Sequence, residues 1–186
     1  MSYPEALLVG EKEYKINTGY EYALACIACI NDPDLGEAER AYGVLEILFE
    51  EAPEDSVEAV RMAVKFLQRG KETQGQDGPE PDMDYEYDMH YIRSSFRSDY
   101  GIDLNQNAGM HWWEFVELLQ GLTDKCILNR VRDLRTYDLS SIKDPKTRSK
   151  IIQAQRDVAL PKKLTQEDQN ALDAFYAQLA QPTTQE

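Results

Sequence analysis

YEYDMHYIRSSFRSDYGIDLNQNAGMHWWEFVELLQGL, residues 85–122, holds both tryptophans, both histidines and four of the eleven tyrosines. Tyr85, Met89, Ile92, Phe96 and Tyr100 recur at helical spacing, and Gly101 supplies a stop. Residues 110–122 repeat the pattern, with Trp112, Phe115, Leu119 and Leu122 in one row and Trp113 and Val116 in a second. The spacing predicts two amphipathic helices, connected through Ile102, Asp103 and Leu104. Neighbouring helical residues point about 100° apart, so two adjacent indoles cannot share one narrow face. Tryptophan suits both a core and a recognition surface, and the spacing leaves both open. The candidate partner-contact residues are Trp112, Trp113, His111, Tyr100 and Phe96.

Outward from this stretch the chain stays helical. Residues 7–16, LLVGEKEYKI, predict a small β-hairpin turning at Gly10. Asn17 and Thr18 offer N-caps for a buried helix over residues 20–30, stopped by Asn31-Asp32-Pro33-Asp34. Residues 37–50 carry Ala41, Val44, Leu45, Leu48 and Phe49 on one face. Pro53 opens a further helix to about residue 69, with Val57, Val60, Ala63, Val64 and Leu67 as its predicted core face and Gly70 as its end. Residues 70–82, GKETQGQDGPEPD, contain three glycines, two prolines and, among them, no apolar side chain that could anchor a core. Beyond the aromatic segment, residues 124–135 read as a helix, 145–158 as a basic and weakly amphipathic one, and Thr165 caps a last helix with Leu172, Phe175, Tyr176 and Leu179. The expected organisation is mainly α: an N-terminal helical region over residues 1–70 with the hairpin, an acidic Gly/Pro-containing linker over 71–83, and a C-terminal helical region over 84–186.

Charge is segregated. Residues 1–124 carry 26 acidic and 9 basic side chains, residues 125–163 carry 11 basic and 4 acidic, and residues 164–186 carry 4 acidic and no basic. The whole chain stands at −14, which disfavours nucleic acid as a general partner because phosphate affinity comes from Lys and Arg. The basic stretch has Tyr137 as its one aromatic residue, so it lacks a stacking platform for bases. It suits an acidic protein surface better, on the chain's own acidic half or on a second copy. The apolar runs are too short to span a bilayer, and the N-terminal residues lack the pattern of a secretory signal, so an intracellular protein is expected.

Catalytic and metal chemistry finds little support. Cys26 and Cys29 form a C-x-x-C, but inside the apolar run ALACIACI, where burial and inertness are expected. Asp82, Asp84, Glu86 and Asp88 lack the glycine and terminal glutamate of a calcium loop, and read as a solvated acidic helix start. His90 and His111 have no ligand-type neighbour at metal spacing, and His111 reads as a structural ring. No P-loop, G-x-G-x-x-G, G-x-S-x-G or H-E-x-x-H occurs, and Ser94, Ser95 and Cys126 have no visible activating base. The expectation is a non-enzymatic protein without cofactor or metal.

Residues 84–88 (DYEYD), 91–104 (YIRSSFRSDYGIDL) and 110–122 (MHWWEFVELLQGL), with VGEKEYKINTGY near the start and KFLQRG before the linker, resemble the phage family named after "gene product fifteen". That resemblance covers nearly the whole chain. It implies a protein of the siphophage or prophage tail module, working in the host bacterial cytoplasm. It further implies a tail assembly chaperone for the tape-measure protein, with the tail tube protein as another partner and homo-oligomers as an option. Two alternatives stand beside it. One is a structural virion component of the tail or connector, and the other a nucleic-acid-binding regulator using residues 125–163.

Overall fold

A computed structural model describes residues 2–70 and 81–161. Gly10, at φ +62°, turns the chain between β1 (Ala6–Val9) and β2 (Lys12–Lys15), which pair antiparallel with Leu7 opposite Tyr14. Strand alternation buries Leu7, Val9 and Tyr14 and leaves Leu8 exposed. The hairpin is tied to the helices through an isolated bridge between Ile16 and Phe49.

α1 (Tyr20–Asn31) and α2 (Glu37–Leu48) pack closely together. Gly43 makes that approach feasible, because a Cβ there would lie 2.6 Å from the Cys29 Sγ. The expected caps Asn17 and Thr18 serve other ends. Gly19 is the N-cap of α1, while Asn17 Nδ2 donates to the Ile47 carbonyl at 2.9 Å and the Thr18 carbonyl accepts from Trp112 N at 2.7 Å. A tertiary partner has taken the Asn17 side chain from the local role that its chemistry suggested.

α3 (Ser56–Leu67) departs from expectation in start and in face. Asp55 rather than Pro53 marks the start, its carboxylate accepting from Glu58 N at 3.0 Å and satisfying an otherwise unpaired donor. The buried face is Ala59, Ala63, Phe66 and Leu67: Ala63 and Leu67 of the predicted stripe are buried, Val60 and Val64 are half-buried and Val57 faces solvent. Two apolar rows coexist on this helix, and the one with two alanines and Phe66 fits the close-packed interior. Arg69 (φ +59°) and Gly70 (φ +73°) close the helix, with Gly70 N donating to Lys65 O at 2.8 Å.

The remaining elements are α4 (Met89–Tyr100), α5 (Trp112–Gln120), α6 (Ile127–Thr136), a 3-10 turn (Leu139–Ser141) and α7 (Pro145–Asp157). Gly101 at φ +70° ends α4 as its position suggested. The chain is mainly helical with a small N-terminal hairpin, as expected. The helix expected after Thr165 and residues 71–80 of the linker lie outside the described residues.

One apolar cluster draws on both sides of the linker. Tyr20, Ala63 and Phe66 join Phe96, Leu104, Trp112 and Phe115 in it. Backbone bonds reinforce the union: Tyr20 N donates to Met110 O at 2.8 Å, and Gly19 bridges His111.

Candidate functional site

The HWW sequence is placed at the junction of three elements. His111 is the N-cap of α5, its Nδ1 accepting from Trp113 N at 3.0 Å. Its other nitrogen, Nε2, lies 3.0 Å from the Pro4 carbonyl, and the ring stacks on Tyr3 at 4.8 Å. With Nδ1 accepting, Nε2 carries the proton and donates. The histidine is thus a strut between the N-terminal segment and α5, consistent with a structural ring.

The two indoles reach the same helix end. Trp112 Nε1 donates to Leu67 O and Trp113 Nε1 to Phe66 O, each at 3.0 Å. The last carbonyls of a helix lack an i+4 donor; the Trp112 bond supplies one to Leu67 O, while the Trp113 bond adds a second donor to Phe66 O, which also accepts from Arg69 N at 3.0 Å. Trp112 also meets Tyr85 and Phe115, and Trp113 stacks on Phe66 at 6.1 Å. The 100° divergence still holds. It lets one indole enter the core and the other run along its edge, both aimed at α3.

Of the five candidate contact residues, Phe96 is fully buried and Trp112 only 2% exposed. Both side chains lie in the interior of the folded chain. Phe96 sits between Tyr100 and Phe115, Trp112 fills the core beneath α3, and neither offers a face to a partner in the folded chain. His111, Trp113 and Tyr100 are half-buried at the edge of the cluster. Tyr100 donates from its hydroxyl to Leu118 O at 2.8 Å, next to Gly121, where a Cβ would come within 2.9 Å of the Tyr100 hydroxyl oxygen.

The acidic run is also built into the fold. Asp84 accepts from Glu86 N and Tyr87 N at 2.9 and 2.8 Å. Asp88, expected on a solvated helix start, is fully buried. It forms a two-pronged ion pair with Arg135 at 2.6 and 2.7 Å. The same guanidinium donates to Asp82 O and Val158 O, so one side chain joins the run before α4, α6 and the end of α7. Its hydrogen bonds to Asp88 hold the Arg135 proton more tightly than usual. Arg132 pairs with Asp82 at 3.0 Å. Among the described residues, no group of three or more His, Cys, Asp or Glu is arranged to hold a metal ion.

Cys26 is fully buried in α1, and burial, with Cys29 nearby, pushes its thiol up to about 12. That is the opposite of the depressed value that a nucleophilic thiol needs. Cys126 is buried as the N-cap of α6, its Sγ facing Asn129 N at 3.4 Å.

The open feature is elsewhere. Ala38, Ala41, Tyr42 and Leu45 of α2 face Ser56, Val57 and Val60 of α3 across a groove of about 430 Å³. Val57 is 81% exposed and Tyr42 66% exposed. Glu37, Glu46, Glu54 and Asp55 flank these positions in sequence and are exposed. The apolar period of α3 contains the signal for this groove, but periodicity alone does not say which of two rows turns inward.

The fold defines the chain as a mainly helical protein with an N-terminal hairpin, a sealed aromatic core and an exposed apolar groove. Its sequence matches the model of the bacteriophage Gp15 protein family over residues 4–160, and the chain belongs to that family. No curated protein and no solved structure shows a match to it.

Proposed function

We propose that this phage protein is a tail assembly chaperone without catalytic activity, acting in the host bacterial cytoplasm. It holds an apolar helical stripe of the tape-measure protein in the groove between α2 and α3 until tail tube subunits enclose that stripe. The observation that carries the reading is an open apolar groove on a member of a phage family. Helix-in-groove binding needs an apolar floor for residues spaced three and four apart, and Ala38, Ala41, Tyr42 and Leu45 provide one. The net charge of −14 keeps a complex with an aggregation-prone client in solution.

Co-expression with the tape-measure protein from the same phage tests this. The client is expected to move into the soluble fraction and to co-purify, and a Tyr42→Asp, Val57→Asp double variant is expected to lose both effects. A client equally insoluble with and without this chain overturns the reading. Recovery of the chain in purified virions at the copy number of a tail component supports a structural role instead.

A further inference from the structure

The most exposed cationic element of the described fold is α7. None of its residues is buried, and residues 143–150 are all exposed, so Lys143, just before the helix, and Lys146, Arg148 and Lys150 within it face solvent. Arg156 is exposed as well. Among the described residues none of these five cations forms an ion pair, whereas Arg132 and Arg135 of the neighbouring α6 pair with Asp82 and Asp88. The basic stretch therefore divides: two of the three arginines of α6 are paired, with Arg130 left exposed, whereas among the described residues no cation of α7 is paired.

The groove between α2 and α3 has the complementary character. No residue of α7 lines it. Glu37, Glu46 and Glu54, close in sequence to its lining residues, form no ion pair among the described residues, and Asp55 is engaged as a helix cap. We infer that this groove receives helix α7 of a second copy of the chain, in a head-to-tail contact. Ammonium and guanidinium groups of α7 meet the acidic rim, while their aliphatic stems lie over Ala38, Ala41 and the ring of Tyr42. Lengths agree, since helices of 12 and 13 residues span roughly 18 and 20 Å. The contact is heterologous, because α7 and the groove are different surfaces, so a joined pair retains one free groove on one copy and one free α7 on the other. A single helix in a shallow groove buries less than the roughly 1,200 Å² of a stable complex, so the contact is readily reversible. Where the chaperone reading holds, and only there, the contact also shields the groove until the tape-measure protein displaces it. The self-contact itself rests on the charges and the groove.

Sedimentation velocity on the full chain, without any client, tests it. The expected result is concentration-dependent association at about 0.05 M salt that weakens on the order of tenfold at about 0.5 M, since the pairs are solvent-exposed and screened. Lys146→Glu, Arg148→Glu, Lys150→Glu should abolish association, as should Glu37→Lys, Glu46→Lys, Glu54→Lys. All six positions are exposed, and circular dichroism checks that each variant keeps its fold. Mixing the two variants should restore association in equal proportion, because the reversed helix fits the reversed groove and the unaltered helix fits the unaltered groove. A wild-type chain that stays monomeric overturns the inference. So does association that survives both triple variants, or a mixture that fails to associate. Client rescue is scored separately: its loss with self-association intact counts against the chaperone reading alone.

Discussion

At the scale of single residues, the largest electrostatic commitment is Arg135 with Asp88, an ion pair whose side chains are almost wholly buried. Removing one partner leaves the other charge uncompensated in the interior. Arg135→Ala is therefore expected to cost about 3–5 kcal/mol in urea denaturation. Replacing both, with Asp88→Asn and Arg135→Met, should cost less than the sum of the single changes. An additive result would show that the pair is not coupled. Cys26 gives a second prediction at this scale. Its folded thiol is raised to about 12, above the ordinary value, so the stability linked to it is complete below the unfolded pKa. That contribution is lost as pH rises from about 9 towards 12, because the unfolded thiol ionises first. At neutral pH a thiol reagent should label Cys29, which is half-buried, while Cys26 and Cys126 react only on unfolding. Rapid modification of Cys26 in the native protein would contradict its place in the core.

At the scale of elements, the helices were legible where one apolar row dominates. In α4 the row Met89, Ile92, Phe96, Tyr100 ends at a glycine of positive φ, and both features appear where spacing placed them. In α3 two rows compete, and the choice between them depends on which neighbours arrive, a fact held by residues about 45 positions away such as Trp112. Asn17 and Asp88 failed as local signals for the same reason: each has the chemistry of a cap or a solvated end, and each side chain is recruited by a distant partner. The groove was hidden because an exposed valine and a buried one look alike in sequence. α7 shows the reverse case, a helix formed with little tertiary support. Its start is capped by Asp144 and helped by Pro145, but it buries no side chain. Gln155 Nε2, bonded to Leu134 O at 3.0 Å, and Arg135, bonded to Val158 O, fasten only its later turns. Opening free energy follows buried contact. Hydrogen exchange should therefore be fastest at the amides of residues 148–152 and slowest in α4 and α5. Equal protection across these helices would mean that α7 has a cover in solution, and dilution or added salt should then strip it if that cover is a second copy.

At the scale of the whole molecule, the two halves are separate as sequence and joined as structure. The linker residues 71–80 contain no apolar side chain, so a cut there removes nothing from the core. The core itself crosses the cut: both indoles of α5 bind the end of α3, Tyr20 of α1 stacks on Phe115 at 4.7 Å, and the Tyr20 hydroxyl donates to Leu104 O at 3.1 Å. Arg69 adds an ion pair to Glu117 at 3.0 Å. Neither half can lose its partner without exposing Phe66, Phe115 and Trp112 together, an apolar surface worth several kcal/mol at roughly 25 cal/mol per Å². A protease site introduced between residues 71 and 80 provides the test. After complete cleavage in native buffer, the two fragments should co-elute, retain the helical circular dichroism of the intact chain and separate only in denaturant. The Trp112→Ala variant treated in the same way should fall apart at lower urea, because it loses the indole that fills the shared core and its bond to Leu67. Fragments that separate in native buffer would show that the shared core does not hold the halves together without the covalent link.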